Sequence, residues 1–274
     1  MTSQRPMIIA HRGASDALAE HTLAAYQRAI AAGADALECD VRLTADLVLV
    51  CVHDRRIDRT SDGRGVVANH TLEQLRTHDF GAWKHGDYQW PNEETWDDGP
   101  DYDDVSSQVL TLDELLDLVA GADRQVGLSI ETKHPSRFGR LVEEKLIEAL
   151  GSRGLLQRRE PAGEIRLMSF AEVALRRMRR LAPELSRVLL MDRVPIRCRS
   201  GWLPYGARFA GPGLDVLKEH PNYPKRVHES GGKVHVWTVN DPADVEFCLS
   251  IGVDGLITNR PAEVIAQVAA TLPG

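Results

Sequence analysis

Two histidines and three carboxylates stand where apolar runs of the sequence end. His11 follows a first run, Glu38 and Asp40 lie in a second, and His53 follows a third. Glu131 ends a fourth run further along the chain. Imidazoles accept and donate protons near neutral pH, and carboxylate oxygens are ligands that hard cations prefer. The combination predicts metal-assisted chemistry on a phosphoester.

Two carboxylates at strand spacing provide the predicted metal ligands. Glu38 and Asp40 lie two residues apart, so on a strand both side chains project from one face, while Cys39 points the other way. Glu131 is the expected third ligand, and waters and phosphate oxygens would complete the coordination. These oxygen ligands suit one divalent ion, Mg²⁺ or Ca²⁺, better than zinc. The alternative interpretation is a set of surface acids at strand ends.

Two basic side chains accompany these groups. Arg12 directly follows His11, and its planar guanidinium could donate two hydrogen bonds to non-bridging phosphate oxygens. The alternative for Arg12 is a structural ion pair. Lys133 shares the strand face of Glu131 and could also contact a phosphate. We therefore expect both cations beside the phosphoester.

Short β-branched runs alternate with helical patterns over nearly the whole chain. The predicted strands cover residues 7–10, 36–43, 48–52, 125–130, 165–168, 187–191, 208–211, 234–239 and 255–258. The predicted helices cover residues 22–32, 112–121, 137–150, 171–181, 242–251 and 261–271. This alternation is typical of βα units around a parallel sheet. It predicts a TIM-type (β/α)8 barrel, in which functional groups gather at the carboxyl ends of the strands.

One predicted strand exceeds the number that such a barrel needs. The gap between 36–43 and 48–52 is too short for a parallel crossover, which needs a dozen or more residues. The second strand is therefore predicted to return antiparallel, as a hairpin.

Two registers of this hairpin remain open. A two-residue turn at 45–46 would place Glu38 opposite His53, whereas a turn at 46–47 would place Asp40 there. Either register brings His53 beside the predicted metal ligands.

Composition excludes several classes of protein. The chain has 274 residues, 43% hydrophobic and 27% charged, which suits one globular domain over 1–274. A net charge of −7 argues against a nucleic-acid partner, which would require a basic face.

The sequence shows no signal peptide and no apolar stretch long enough to span a membrane, so the cytoplasm is the expected location. The four cysteines lack C-x-x-C spacing and read as buried free thiols.

Residues 80–108 interrupt the alternation of strands and helices. Three of the five tryptophans lie there, among glycines, prolines and acids. Long loops inside compact domains are usually functional or disordered, and aromatic residues are scarce in disordered segments. The segment is predicted to be a small ordered insertion that caps the site.

These residues and their order resemble the glycerophosphodiester phosphodiesterase family. The matching motifs are His11-Arg12-Gly13, Glu20-His21-Thr22, Glu38-Cys39-Asp40-Val41, Thr44-Ala45-Asp46, His53-Asp54, Arg59-Thr60, Leu110-Thr111-Leu112-Asp113-Glu114, Glu131-Thr132-Lys133, Ser169-Phe170, Trp237-Thr238-Val239-Asn240, Gly252-Val253-Asp254-Gly255 and Thr258-Asn259-Arg260-Pro261. They occur in the family's order over almost the full length. The resemblance implies a barrel with an insertion after the second histidine, where 80–108 falls.

The resemblance also implies the roles of the site residues. His11 and His53 would be the general acid and base, and a divalent metal would be held by Glu38, Asp40 and Glu131. The implied reaction is hydrolysis of a glycerophosphodiester, a small-molecule substrate, to sn-glycerol 3-phosphate and an alcohol. Attack by water and attack by the glycerol's own hydroxyl, through a cyclic phosphate, both fit these residues.

Trp237 is a further candidate for substrate contact. It lies at the end of the run 234–239, where its ring could pack on a glycerol face while its N–H finds a polar partner. The alternative is a residue of the barrel core.

The chain departs from the family's usual motifs in three places. Pro-Glu-Asn-Thr is replaced by Ala19-Glu20-His21-Thr22, Asp-Gly by Asp46-Leu47, and Thr-Asp-Arg-Pro by Thr258-Asn259-Arg260-Pro261. No catalytic group is lost. The first change could alter the contacts of the loop beside His11, and the second disfavours a turn that needs a positive φ.

Two other functions compete with this interpretation. A lysophospholipase D or sphingomyelinase D-like enzyme would act on lipid diesters and would need an exposed apolar lip. A catalytically silent phosphodiester-binding protein would not need the polar site residues that this chain retains. A metal amidohydrolase is excluded because His11 is followed by Arg12-Gly13 and not by a His-x-His pair.

Overall fold

Parallel strands close into a barrel at the centre of the molecule. The structure is a computed structural model that describes residues 5–84, 107–157 and 163–271. Its strands are β1 (Met7–His11), β2 (Ala36–Leu43), β3 (Leu49–Cys51), β4 (Gly127–Thr132), β5 (Ile165–Ser169), β6 (Ser186–Met191), β7 (Phe209–Pro212), β8 (Lys233–Val236) and β9 (Gly255–Thr258). All except β3 pair in parallel, and β1 pairs with both β2 and β9, which closes the ring. The predicted TIM-type barrel is confirmed.

Helices connect the parallel strands on the outside of the ring. They are α1 (Leu23–Ala31), α2 (Leu72–Leu75), α3 (Leu112–Ala120), α4 (Leu141–Ser152), α5 (Glu172–Leu181), α6 (Leu214–Glu219), α7 (Tyr223–Glu229), α8 (Pro242–Ser250) and α9 (Pro261–Thr271). Each of the six predicted helices is present. In the part of the chain that the structure describes, none of the helices combines the length and apolarity that crossing a bilayer requires.

The helix predicted over 137–150 begins later than expected, at Leu141. Gly139 has a φ of 55°, which a right-handed helix does not accommodate. The short helices α2, α6 and α7 were not predicted, because they span too few residues to show a helical hydrophobic period.

Alternating side chains of the strands fill the barrel interior in layers. Apolar groups occupy the middle of the barrel, and these are Ile9, Ala36, Met168, Val188, Leu190, Phe209 and Ile257. Polar side chains take over towards the carboxyl ends, since the same strand faces continue there with Glu38, Asp40 and Glu131. The strands thereby carry these acids to one mouth of the barrel.

The β2–β3 hairpin is antiparallel, as predicted, but both predicted registers are wrong. Arg42 pairs with Val50, and the Val52 amide donates to the Asp40 carbonyl over 3.0 Å. This register lies between the two alternatives. The reason is the turn, which has three residues between Thr44 and Val48 and not two.

Leu47 ends this turn with a φ of 65°. Its amide donates to the Thr44 carbonyl over 3.1 Å, and the Thr44 amide donates to the Val48 carbonyl over 3.0 Å. Leucine in place of the family's usual glycine disfavours a positive φ at this position. The backbone of Leu47 nevertheless has a positive φ. The hydrogen bonds around Thr44 hold the leucine in a conformation that costs free energy for a side chain with a Cβ.

The first and last residues of the predicted insertion, 80–84 and 107–108, are described, whereas 85–106 lie outside the described residues. Lys84 donates from Nζ to the backbone carbonyls of Ser15, Asp16 and Leu18, in the loop that follows β1. The beginning of the insertion is therefore fastened to the loop that follows His11.

We predict that Leu47→Gly raises the free energy of unfolding by about 1 kcal/mol, because glycine adopts a positive φ without a Cβ clash. Urea denaturation followed by circular dichroism measures the difference. Ala45→Gly is the matched control: Ala45 is exposed in the same turn without a positive φ, so its replacement should lower stability. A Leu47→Gly protein no more stable than wild type would contradict strain at this turn.

Candidate active site

The predicted site residues meet in one open cleft at the carboxyl end of the barrel. The cleft has a volume of about 250 Å³. Its walls contain His11, Arg12, Glu38, His53, Glu131, Lys133, Met168, Phe170, Leu190, Asp192, Trp237 and Ile257. Asp40 lies beneath this surface and is buried. The groups that were selected from sequence thus come from β1, β2 and β4 and from the residues that follow β1, β3, β4 and β8.

Three carboxylates form a tight group at the base of the cleft. Asp40 on β2 pairs in register with Glu131 on β4, and Glu38 lies two residues earlier on the same face of β2. One oxygen from each of the three lies within 4.8 Å of the others. All three are buried. This arrangement could hold a metal ion.

The ionisation of these acids supports a cation at the site. Burial and the charge of Asp40 raise the pKa of Glu131 to about 8. The same two causes raise the pKa of Glu38 well above its usual value. Burial also opposes ionisation of Asp40, but the hydrogen bond from His21 and the charge of Lys133 outweigh it and hold its pKa well below the usual range. Three ionised carboxylates at this distance repel one another, so the residues present fit a divalent cation.

Lys133 lies against the carboxylates. Its Nζ is 3.1 Å from Asp40 Oδ1 and 2.9 Å from Glu131 Oε1. The neighbouring charges of Asp40 and Glu131 raise its pKa, although burial opposes this. Lys133 therefore supplies positive charge at the site, and its contacts are with the acids that the sequence assigned to a metal.

His11 is held at one ring nitrogen by an amide. Its Nδ1 lies 2.6 Å from Asn259 Oδ1, which can only accept, so Nδ1 carries the proton and donates it. Nε2 lies 4.0 Å from Glu38 Oε2 and faces the carboxylates. Burial and the charge of Arg12 lower the pKa of His11 to about 3. The imidazole is thus neutral, with a free lone pair at Nε2.

His53 is held in the same way, but by a carboxylate. Its Nδ1 donates to Asp54 Oδ1 over 2.7 Å. Burial lowers the pKa of His53, and the charges of nearby acids oppose this. The side chain is 35% exposed, against 17% for His11. His53 therefore lies closer to solvent and has a negatively charged partner that His11 lacks.

Arg12 and Arg59 join the loops that carry the two histidines. Arg12 lies 3.0 Å from Glu20 and 3.1 Å from Asp40, and Arg59 forms two hydrogen bonds to the same Glu20. Arg59 also donates to Asp54 over 2.8 Å, and Asp54 binds His53. Arg12 is thus engaged in the ion pairs that the sequence left open as the alternative to a phosphate contact.

His21 is a site residue that sequence reasoning did not select. It stands where the family usually has asparagine, has a φ of 62°, and lies 3.0 Å from Asp40 through Nε2. Its Nδ1 lies 2.7 Å from the Tyr26 hydroxyl. The ionised Asp40 can only accept, so Nε2–H donates to it, while the Tyr26 hydroxyl donates its proton to the Glu38 carbonyl over 3.1 Å. Burial lowers the pKa of His21, and the hydrogen bond to Asp40 opposes this. The signal in the sequence was the departure from the Pro-Glu-Asn-Thr motif.

An apolar wall faces the carboxylates across the cleft. The indole N–H of Trp237 donates to the Gly211 carbonyl over 2.8 Å, and its ring packs edge-to-face on Phe170 with centroids 5.5 Å apart. Phe170 and Asp192 follow β5 and β6 on the strand faces that line the barrel interior. Phe170 belongs to the matching motif Ser169-Phe170 but was given no role from sequence, and Asp192 lies in none of the quoted motifs.

Comparisons with known proteins identify the family of this chain. A model of the glycerophosphoryl diester phosphodiesterase family matches residues 11–263. The chain is 43% identical over 265 residues to the Mycobacterium tuberculosis H37Rv protein named "Probable glycerophosphodiester phosphodiesterase 1", covering 95% of this chain and 92% of that one. It is 33% identical over 265 residues to a glycerophosphodiester phosphodiesterase of Bacillus subtilis 168, covering 95% and 86%.

Solved structures share the fold. A glycerophosphodiester phosphodiesterase from Parabacteroides distasonis superposes with a TM-score of 0.75 at 24% identity, covering 98% of this chain and 99% of that one. An Oleispira antarctica phosphodiesterase in complex with the product sn-glycerol-3-phosphate gives a TM-score of 0.74 at 22% identity, covering 96% of each chain.

A phosphodiester-hydrolysing (β/α)8 barrel is the class that this fold and sequence define. The chain belongs to the glycerophosphoryl diester phosphodiesterase family, and it is an enzyme that acts on glycerophosphodiesters.

We predict that Glu20→Gln makes stability less dependent on pH in acid. Hydrogen bonds from Arg59 and the charge of Arg12 outweigh burial and lower the pKa of Glu20 from 4.5 to about 2. Because the folded-state pKa is the lower one, the ionised Glu20 stabilises the fold fully above pH 4.5, and this contribution is lost as the pH falls towards 2.

Urea denaturation of wild type and variant at a series of pH values from 5 downwards measures this. The wild type should lose more of its free energy of unfolding over that range than Glu20→Gln does. Glu73→Gln, which changes an exposed acid, is the control and should follow the wild type. Parallel curves for Glu20→Gln and wild type would contradict the assigned pKa.

We predict that Glu131→Gln weakens binding of Mg²⁺ or Ca²⁺ by at least about tenfold, because the group of carboxylates that could hold the ion loses one of its acidic side chains. Isothermal titration calorimetry measures the affinity. Asp192→Asn is the matched control, since Asp192 lines the same cleft outside the carboxylate group. Equal loss of affinity in both variants would show a general effect of charge and would contradict a defined ligand set.

Proposed function

We propose that this enzyme hydrolyses glycerophosphodiesters to sn-glycerol 3-phosphate and an alcohol, with His11 and His53 as the acid and base and with Glu38, Asp40 and Glu131 as ligands of one divalent metal ion. The observation that carries the proposal is the presence of both imidazoles and the group of carboxylates in one cleft. The product complex of the Oleispira antarctica phosphodiesterase, which has the same fold, supports the choice of product.

The hydrogen bonds of the two imidazoles support different roles. In the reaction a nucleophilic oxygen loses a proton, the bond from phosphorus to the alcohol oxygen breaks, and that oxygen gains a proton. The carboxylate of Asp54 stabilises a protonated His53, whereas the neutral amide of Asn259 does not do so for His11. His53 is therefore the general acid that protonates the leaving alcohol, and His11 is the base that accepts a proton at Nε2.

The remaining residues bind and orient the substrate. A bound divalent ion would withdraw charge from the phosphate oxygens. Lys133, beside the carboxylates, adds positive charge next to the phosphate, and Arg12 holds the loop after β1 in place through Glu20 while facing the cleft. Trp237 and Phe170 provide an apolar surface on which the carbon face of the glycerol packs, and they exclude water from that side.

The activity is tested by a coupled assay for glycerol 3-phosphate with glycerophosphocholine as substrate. The enzyme should release glycerol 3-phosphate, lose this activity with a chelator and regain it with added Mg²⁺ or Ca²⁺. A lysophosphatidylcholine arm tests the lipid-directed alternative. Turnover of the lysolipid without turnover of glycerophosphocholine would overturn the proposed substrate, and turnover that persists after chelation would overturn the role of the metal.

We predict that His11→Ala and His53→Ala each lower kcat on glycerophosphocholine by about 10²–10⁴-fold, the usual contribution of a general acid or base. A glycerophosphodiester of p-nitrophenol separates the two roles, because p-nitrophenolate leaves without protonation. His53→Ala should recover much of its activity on this substrate, whereas His11→Ala should not.

His220→Ala is the control for these variants, since His220 is exposed outside the cleft. Near-normal turnover of glycerophosphocholine by either site variant would remove that histidine from the mechanism. Recovery of His11→Ala on the p-nitrophenol ester would instead reverse the assignment of acid and base.

A further inference from the structure

A second cavity lies beside the catalytic cleft, between the loops that follow β2, β3 and β4. It has a volume of about 310 Å³. Four cations line it, namely Arg42, Arg55, Lys133 and Arg137, and no acidic side chain of the described residues is among its lining. The chain as a whole carries a net charge of −7. The cavity, which we call the basic cavity, is therefore a local exception in an acidic protein.

Strand register explains how the basic cavity arises next to the carboxylates. Arg42 follows Asp40 by two residues on β2, and Lys133 follows Glu131 by two residues after β4. Asp40 and Glu131 are direct neighbours across the two strands. Each cation therefore continues the strand face of an acid, one layer nearer the mouth of the barrel.

Lys133 connects the two cavities, because it lines both the catalytic cleft and the basic cavity. Its ammonium forms ion pairs with Asp40 and Glu131. If the phosphodiester of a substrate lies at the carboxylates, the substrate can therefore extend past Lys133 into the basic cavity. The position suits the far end of a substrate and not its scissile bond.

Unlike Lys133, which is paired with carboxylates, Arg42 and Arg137 donate to uncharged acceptors. Arg42 donates from Nε and Nη2 to the His53 carbonyl over 3.0 and 2.7 Å. Arg137 donates to the Ala68 carbonyl over 3.1 Å and to Asn69 Oδ1 over 2.8 Å. These acceptors are uncharged.

Within the described residues no carboxylate lies at ion-pair distance from any of the three arginines, whereas the neighbouring Arg56 is paired with Asp58 at 3.0 Å. Three guanidinium charges around one concave space attract an anion. Guanidinium groups also match the tetrahedral oxygens of a phosphate in geometry, since each can donate two parallel hydrogen bonds.

We propose that the basic cavity binds a second phosphate, carried as a phosphomonoester on the alcohol half of the substrate. This inference rests on the proposed function. It assigns to the enzyme a preference for glycerophosphodiesters with phosphorylated headgroups over the same diesters without that phosphate. Arg55 and Arg137 contact the headgroup phosphate alone, because they line the basic cavity and not the catalytic cleft.

The test compares glycerophosphoinositol 4-phosphate with glycerophosphoinositol, a pair that differs by one phosphate. The metal-loaded wild type should show the higher kcat/KM on the phosphorylated diester. Arg55→Gln with Arg137→Gln should lower the ratio of the two kcat/KM values by at least about tenfold, the usual effect of losing charge-assisted hydrogen bonds. The kcat/KM on glycerophosphoinositol itself should not change.

Two further variants serve as controls. Arg56→Gln removes a neighbouring arginine that does not line the basic cavity, and it should leave the ratio unchanged. Arg55→Lys keeps the charge and should retain more of the preference than Arg55→Gln, which excludes an effect of the loop fold alone.

The outcomes separate this inference from the proposed function. Equal kcat/KM on the two diesters, or a ratio that the double variant leaves intact, would overturn the inference while hydrolysis itself stands. Inhibition by inorganic phosphate that depends on Arg55 and Arg137, without a substrate preference, would make the cavity a site for free phosphate and would also overturn it.

If neither diester is hydrolysed, the proposed function fails and calorimetric binding of the two diesters decides the inference by itself. Tighter binding of the phosphorylated diester that is lost in the double variant would support the basic cavity as a phosphate site. Equal affinities would refute it.

Discussion

Repulsion among three buried carboxylates is the constraint on which the rest of the site depends. Glu38, Asp40 and Glu131 are fixed by the pairing of β2 with β4, and their oxygens approach within 4.8 Å. The raised pKa values of the two glutamates express the cost of ionising all three in a buried place. Lys133 supplies positive charge beside them, and a bound divalent ion would supply more.

Arginines near the carboxylates also form ion pairs that join two loops of the site. Arg12 and Arg59 share Glu20, and Arg59 reaches Asp54, the partner of His53. The loop after β1 and the loop after β3 are thereby joined by alternating charges. The same arginines that lie beside the acids therefore also connect the loops that carry the two imidazoles.

The hydrogen-bond partners of the two imidazoles differ in charge, so the protonated forms of the two histidines are stabilised to different degrees. Asn259 replaces the aspartate that is usual in the family, so the partner of His11 is neutral, whereas the partner of His53 is ionised. His21 stands in place of the usual asparagine and donates to Asp40. This hydrogen bond lowers the pKa of the Asp40 carboxyl. Two of the three departures from the family's motifs thus lie within hydrogen-bonding distance of residues of the proposed site.

The sequence by itself determined the barrel, the hairpin, the strands with nearly correct bounds, and the acids and histidines of the cleft, because hydrophobic period and strand-end position are local properties of the chain. Tertiary structure alone decided the hairpin register, the contact of His21 with Asp40, the pairing of Arg12 with Glu20, and the positions of Phe170 and Asp192 in the walls of the cleft. Those features depend on which distant residues meet, and no local pattern encodes them. The positive φ of Leu47 illustrates the reason, since contacts of the turn with its surroundings override the preference of the residue itself.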